Sequence, residues 1–448
     1  MKNFLNFFIK VYKLKETTRT GWGIWRIKNP ETIAEHTFRV CFLAFLLGRK
    51  KGLNLKKVVQ CSLVHDLCEV YAGDITPLFY YQKLDIKKKR DKKILLKGIR
   101  LPEKEKKRRS KIKFEKEKKS LLKLVSFFEK NLKKEIFFRW IDYEKGLSRE
   151  GRFVKQIDWI ENLIQSLEYL GPEQSGSGWW EIAQEKVYDP LLLDFLAIIQ
   201  KKFYKKKIRA QKKNEDLENI LDFILVIGRL KRMPRLYWIL RGVKNPETVA
   251  SHIFTLALMA WIFGRETKLN QEKLLKMALC HEISAVYTGD TTPYDKILPK
   301  DVQKRKEILK KMVRLSRMEK KEIFFKDYQE EEETLEKLTT KLNPALRNEI
   351  IQLWKEYRTK SSPEGYFLSQ FNVLAVLLQS LLYEKKDKNF FTIPLWEWAF
   401  ENIDHSLALE FLRELKKKFY AKPFYRNFGM GIRRLGRNFL SRRFTSKR

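Results

Sequence analysis

Histidine is scarce in this chain, five among 448 residues, and cysteine is scarcer, with four. None of Cys41, Cys61, Cys68 and Cys280 stands in a CxxC spacing, which excludes a thiolate zinc knot and argues against a disulfide framework. Reduced core thiols in a cytoplasmic protein are expected instead. No apolar run reaches the ~18 residues that a membrane span needs, so no transmembrane segment is expected. The opening "MKNFLNFFIKVYKLK" is apolar but broken by lysines, with no small-residue cleavage site behind it. It reads as a first amphipathic helix and not as a signal peptide. Acidic residues are also short, 55 against 94 Lys and Arg, for a formal charge of +39.

A surface this basic attracts anions such as nucleotides, RNA, DNA or acidic lipid. Many of the lysines, however, alternate with glutamate in runs such as "LPEKEKKRRSKIKFEKEKKS", which equally suit a solvated helix face. The segment 421–448 differs, with nine Lys and Arg, no acid and interleaved aromatics. It reads as a basic tail for RNA or an anionic membrane surface, with a solvated terminus as the alternative. Hydrophobic residues at 44% and aromatics at 13% are enough for a globular chain of two domains.

The chain repeats itself. A shift of 216 lays "GWGIWRIKNPETIAEHTF" on "LYWILRGVKNPETVASHIF", bringing Trp22 onto Trp238, Glu31 onto Glu247 and His36 onto His252. The same shift brings His65 onto His281 and Asp74 onto Asp290, and a shift of 214 lays 151–170 on 365–384. Tandem duplication of a domain explains this economically, with domains at 1–205 and 206–420 and the boundary in the basic stretch 201–218. Between these landmarks the periodicity is helical. "HTFRVCFLAFLLG" and "HIFTLALMAWIFG" are apolar around most of a helix and stop at glycine, and "LKKVVQCSLVHDLCEVY" reads as one helix closed by "AGDITP". No segment alternates as a strand would. The expected fold is all-α.

Four of the five histidines fall in the aligned slots, and only His405 lies outside. A single histidine on an apolar helix is usually a hydrogen-bonded core residue, so the neighbours decide. His65 and Asp66 are consecutive on a helix, and Glu69 follows on the same face one turn later. His36 comes from another helix and Asp158 from a third. Two imidazoles and two carboxylates from three helices make a mixed N/O set suited to one divalent ion: Mn, Co, Mg, Fe or Zn.

The pattern His36 … His65-Asp66 … Asp158 resembles that of the HD-domain metal-dependent phosphohydrolases. With "RTGW" (19–22), "NPETIAEH" (29–36), "HDLCEVYAGDITP" (65–77) and "FVKQIDWIENLIQSLEY" (153–169), it looks like the 5′-deoxynucleotidases among them, across most of 10–170. The resemblance implies a helical bundle and hydrolysis of deoxyribonucleoside 5′-monophosphates. It implies that His36, His65, Asp66 and Asp158 hold the metal and that Glu69 handles the attacking water. Asp74 would assist with proton transfer or substrate contacts, Arg19 would lie on phosphate and Trp22 against the sugar. Asp74 as a turn cap and Trp22 as core are the structural alternatives. Glu35 is a candidate partner for the His36 ring.

The second copy keeps Arg235, Trp238, Glu247, His252, His281 and Asp290, but it has Glu282 for Asp66, Ala285 for Glu69, Asn372 for Asp158 and Ser251 for Glu35. It loses an anionic ligand and the candidate base, so its site (His252, His281, Glu282, Asn372) reads as degenerate. Relatives of this kind commonly form homodimers, so the chain is read as a fused pseudo-dimer. A second half that still binds nucleotide through Arg235 and Trp238 is the alternative. For the whole chain, the competing readings are a non-catalytic nucleotide- or RNA-binding protein and a hydrolase of another nucleotide or phosphodiester.

Overall fold

The computed structural model describes residues 1–75, 87–88, 90–91, 102–175, 178–204, 215–292, 298–309 and 315–420. The basic tail 421–448 and most of the basic stretch between the repeats lie outside the described residues. The fold is all-α, as expected. Its first half runs α1 (Lys2–Val11), α2 (Thr20–Ile24), α3 (Ile33–Lys50), α4 (Leu55–Val64), α5 (Glu69–Ala72), α6 (Glu103–Leu124), α7 (Lys130–Lys145), α8 (Arg149–Ser175), α9 (Gly178–Lys186) and α10 (Pro190–Tyr204). The second half follows with α11 (Glu215–Ile227), α12 (Leu236–Leu240), α13 (Val249–Gly264), α14 (Gln271–Cys280), α15 (Ala285–Thr288), α16 (Val302–Leu309), α17 (Arg317–Thr339), α18 (Pro344–Thr359), α19 (Pro363–Lys386), α20 (Ile393–Asn402) and α21 (Ser406–Tyr420). Among the described residues the only β pairing is two isolated bridges, Thr18 with Thr32 and Pro234 with Thr248.

The landmark helices start where their sequences cap them. Thr32 and Glu35 form a reciprocal capping box on α3, and Thr248 and Ser251 form the same box on α13. Asn54 and Asn270 cap α4 and α14 through their side-chain oxygens. Helices α3 and α13 are buried on nearly every face, as their apolar circumference requires.

Two local expectations are corrected. Helix α3 does not stop at Gly48. It runs on to Lys50, and the chain turns at Gly52, whose φ of 66° suits glycine. Gly48 instead admits α4, since a Cβ there would touch Leu55 and Val58 at 3.6 Å. The stretch 55–72 is also not one helix. The α-helical ladder ends at Val64, and tighter bonds carry the chain through the His-Asp pair, from Leu67 N to Val64 O (3.1 Å) and from Glu69 N to Asp66 O (3.0 Å). The same break follows Cys280 in the second half. Asp66 lies within this break and Glu69, which is buried, directly after it.

Helix α19 is long and apolar enough to cross a membrane by length and composition, with a mean hydropathy of 1.4 over its best window. Gln370, Asn372, Gln379 and Ser380 interrupt its apolar sequence, and 78% of that window is buried inside the protein, so it is the core helix of the second half.

The halves exchange their first helices. Phe8 of α1 packs on Phe263 and Phe411 of the second half, and Phe223 of α11 packs on Phe42 of the first. Lys15, just after α1, forms a buried ion pair with Glu247, and Lys231, just after α11, forms one with Glu31. One hydrophobic core runs through both halves.

Candidate metal centre

Three helices deliver the donors, and short bonds hold them. His36 projects from the first turn of α3, His65 follows α4, and Asp158 lies mid-way along α8. The Nε2 atoms of His36 and His65 stand 3.3 Å apart. Asp158 Oδ1 lies 3.0 Å from His36 Nε2, and Asp66 Oδ2 lies 3.2 Å from His65 Nε2. The donor atoms of His36, His65 and Asp66 lie within 4.8 Å of one another, and Asp158 adjoins them through His36. Each ring is oriented by what its other nitrogen donates to. His65 Nδ1 lies 2.6 Å from the Ser62 carbonyl and His36 Nδ1 2.5 Å from Glu161 Oε2, both acceptors. Each imidazole so presents the Nε2 lone pair to the shared point. Tyr143 donates to Asp158 Oδ2 (2.7 Å) and Asn162 donates to Asp158 Oδ1 (2.9 Å), which fixes that carboxylate. Two imidazoles and two carboxylates, with Arg19 paired to Asp66 at their edge, make a donor set that fits a divalent ion.

With no cation bound, the surrounding carboxylates favour a protonated His36 ring, a proton that a metal ion would replace. Burial and Arg19 pull His36 down, but Glu161 and Asp158 outweigh them and raise it to about 9. Burial opposes the charge on Asp66, yet His65, Arg19 and His36 hold that carboxyl far below its ordinary range. Glu69 goes the other way: burial, Asp66 and Asp74 push it well above the ordinary carboxylate range. Its Oε2 is buried and has no hydrogen-bond partner. Glu69 and Asp74 add further acid beside Asp66 and Asp158, against the one guanidinium of Arg19, and a metal ion would neutralise that excess.

Arg19 reaches this site, donating to Asn162 Oδ1 (2.7 Å) and Asp66 Oδ2 (3.3 Å). Asp74 braces the Arg19 segment, accepting from Thr20 N at 2.6 Å, with the Arg19 Nε 4.0 Å away. Asp290 accepts from Leu236 N at 2.6 Å in the same way. Trp22 is not on the site's surface. It is 1% exposed, its indole N–H donates to Glu31 Oε1 (2.9 Å) and Trp179 stacks against it. The expected sugar contact is thus corrected to a core role, because the ring is sealed beneath the Arg19 turn. Glu35 is corrected likewise. It caps α3 and accepts from Thr248 Oγ1 (2.7 Å) across the halves, while Glu161 takes the His36 ring.

Glu161, Arg39 and Lys231 were missed by the sequence reading. Arg39 Nε and Lys231 Nζ both reach Glu161 Oε1 at 2.7 Å. Although burial works against its charge, Lys231, Arg39 and His36 hold Glu161 well below its ordinary range. Glu161 and Arg39 were findable, since each stands three residues after a predicted ligand, one helical turn on. Lys231 comes from the other half, and no spacing points to it.

The second half differs from the first at further positions around its histidines. At the repeat shifts, Glu161 corresponds to Ala375, Asn162 to Val376 and Arg39 to Thr255. His252 Nδ1 has no hydrogen-bond partner, and its Nε2 lies 2.8 Å from Asn372 Oδ1. Asn372 Nδ2 donates to Tyr357, so Oδ1 is the atom facing the ring. His252 therefore carries its proton on Nε2, the atom that its counterpart offers to a metal. Burial pushes His252 well down and His281 down to about 3, with Arg235 adding to both. His252, His281 and Glu282 still lie together, but Arg235 donates to Glu282 at 2.5 Å.

The HD-domain family profile matches residues 11–189 and 227–398. A 5′-deoxynucleotidase HDDC2 of Mus musculus is 33% identical over 165 residues, covering 37% of this chain and 70% of that protein. Its Homo sapiens counterpart is 32% identical over 166 residues, covering 37% and 69%. The 5′-deoxynucleotidase hdd1 of Schizosaccharomyces pombe is 25% identical over 210 residues, covering 45% of this chain and 93% of that protein. A relative's length therefore corresponds to about half of this chain. With two matched regions that together span most of its length, the chain belongs to the HD-domain family and is an HD-domain phosphohydrolase similar to 5′-deoxynucleotidases.

Proposed function

We propose that this chain is a metal-dependent phosphomonoesterase that hydrolyses deoxyribonucleoside 5′-monophosphates to deoxynucleoside and phosphate, with catalysis in the first half. One observation carries the reading: four donors converge beside a buried carboxyl, Glu69, whose Oε2 has no partner. The substrate class is taken from the names of the relatives. His36, His65, Asp66 and Asp158 would hold one divalent ion of Mn, Co, Mg, Fe or Zn, which when bound lowers the pKa of its water and polarises the phosphoryl group. Glu69 takes the proton of the attacking water at Oε2. Arg19 turns its guanidinium from Asp66 to the phosphate, a geometry that a lysine does not supply. Asp74 acts by holding the Arg19 turn, and Trp22 supports that turn from the core.

The second half is proposed as a non-hydrolytic HD domain derived by tandem duplication, spanning 206–420 after a first domain at 1–205. The reciprocal pairs Lys15–Glu247 and Lys231–Glu31 support an intramolecular pseudo-dimer, since a two-fold interface uses each patch twice. The four buried thiols, none of them in a disulfide, support a cytoplasmic setting. The tail 421–448 is proposed to contact RNA or an anionic membrane surface.

The test is phosphate release from ribo- and deoxynucleoside 5′-monophosphates in Mn²⁺, Co²⁺ and Mg²⁺, for wild type, Glu69→Ala and Glu282→Ala. Metal-dependent release from deoxynucleotides that is lost only in Glu69→Ala is expected. No release with any metal, or equal loss in Glu282→Ala, refutes the reading.

A further inference from the structure

Behind His36, on the side away from the four donors, lies a second cluster of acceptors: Glu31, Glu161 and Gln165. Glu31, His36 and Glu161 alone would suit a cation. The cation is Lys231, which is 4% exposed, pairs with both glutamates and also donates to Gln165. Lys231 belongs to the second half. It reaches the ring of a proposed metal ligand in two steps, through Glu161 Oε1 (2.7 Å) and from Glu161 Oε2 to His36 Nδ1 (2.5 Å).

The symmetry mate shows that this is more than an interface anchor. Lys15 stands at the equivalent place and pairs with Glu247 and Gln379, but Ala375 occupies the position of Glu161 and His252 Nδ1 has no partner. Lys15 can therefore approach the His252 ring only through Glu247, whose Oε1 stands 3.9 Å from Nδ1, beyond hydrogen-bond distance. The packing is matched to this difference. At Gly228 of the second half, a Cβ would stand 2.8 Å from Arg39 Nη1, so glycine makes room for the guanidinium that shares Glu161. The residue equivalent to Gly228 in the first half is Tyr12, whose hydroxyl donates to the Ala375 carbonyl at 2.9 Å. Each half thus fits what the other carries: small where the carboxylate–arginine pair stands, large where it is gone.

We propose that Lys231 is a positioning residue for the metal centre of the first half, so that the second half, without hydrolysing anything, completes that centre by clamping Glu161 onto His36. This rests on the proposed metal-site reading. With Lys231 in place, Glu161 is held from two sides and keeps one oxygen on Nδ1, and the Nε2 lone pair of His36 stays aimed at the shared point. Without it, Glu161 is held by Arg39 alone, and the ring loses its fixed orientation.

Calorimetric titration of Mn²⁺ into the full-length, metal-stripped protein tests this without any turnover assay. Lys231→Met and Glu161→Gln are each expected to weaken binding by about 10–100-fold, the usual effect of removing a partner of a ligand. The double variant is expected to bind no worse than Glu161→Gln alone, since both changes break one chain of contacts. Lys15→Met is expected to bind as the wild type does. Wild-type affinity in Lys231→Met, an equal loss in Lys15→Met, or losses that multiply in the double variant would each overturn the proposal while leaving the metal site standing. If Lys231→Met does not fold, Glu161→Gln decides alone, and wild-type affinity there overturns it. A wild type that takes up no Mn²⁺ refutes the metal reading itself, and this proposal with it.

Discussion

Replacing Glu69 by glutamine is expected to move activity and stability in opposite directions. Glu69 is 4% exposed, its Oε2 has no partner, and it faces the charges of Asp66 and Asp74. Glutamine has the same shape, carries no charge to desolvate and cannot take a proton from water. Loss of a positioned base typically costs about 10²–10⁴-fold in rate. Removing a carboxyl whose charge the fold disfavours is worth about 1–3 kcal/mol at neutral pH. With a core shared by both halves the cooperative unit is no smaller than one half, so each kcal/mol shifts the midpoint by at most roughly 2–4 °C. Two assays on one protein preparation check this: phosphate release from deoxynucleotides with Mn²⁺, and thermal unfolding followed by circular dichroism in chelator. The expected result is a collapse of turnover together with a metal-free midpoint raised by several degrees. Turnover within about tenfold of wild type would remove Glu69 from the proton transfer. A lowered midpoint would mean that the carboxyl is a structural partner and not a group held in place for chemistry.

Further outcomes follow from the same geometry. Arg19→Lys is expected to raise KM for the nucleotide by about tenfold or more, because an ammonium cannot bind phosphate in a two-pronged way; initial rates across substrate concentrations check it. Phe263→Ala removes a ring packed against Phe4, Phe8, Phe371 and Phe411 from both halves, and it should cost about 3–5 kcal/mol in urea unfolding. Burial pushes Glu117 up to about 7, so the folded state holds a proton that the unfolded chain releases from about pH 4.5 upward. Stability is therefore lost as pH rises between those values, by roughly 3 kcal/mol at the upper end. Glu117→Gln should raise the midpoint at pH 8 and leave it unchanged at pH 4, and the same gain at both values would refute the assignment.

The sequence carried the architecture because local rules and global packing agree in it. The Thr32–Glu35 and Asn54 caps, the all-round apolar helices and the two matching histidine spacings each point to the same bundle. The proposed ligands stood out for the same reason, since His36, His65, Asp66 and Asp158 are polar groups on otherwise buried helices. Trp22 misled, because an aromatic beside a functional arginine reads equally as a contact and as a prop, and burial alone separates the two. Glu35 misled because adjacency in sequence turns a side chain about 100° away on a helix, whereas Glu161 approaches His36 from a facing helix.

Helix, repeat and donor set could be read along the chain, because they depend on residue type and spacing along one segment at a time. Which nitrogen of each histidine faces its neighbours, which carboxylate oxygen lacks a hydrogen bond and which lysine crosses from one half to the other became visible in three dimensions alone. Those are properties of facing surfaces. Lys15 and Lys231 are the same letter in the same register, yet one meets Glu161 at 2.7 Å and the other meets a helix in which that glutamate has become Ala375. A lysine's partner is set by the surface packed opposite it, and that surface comes together only when the two halves fold onto each other.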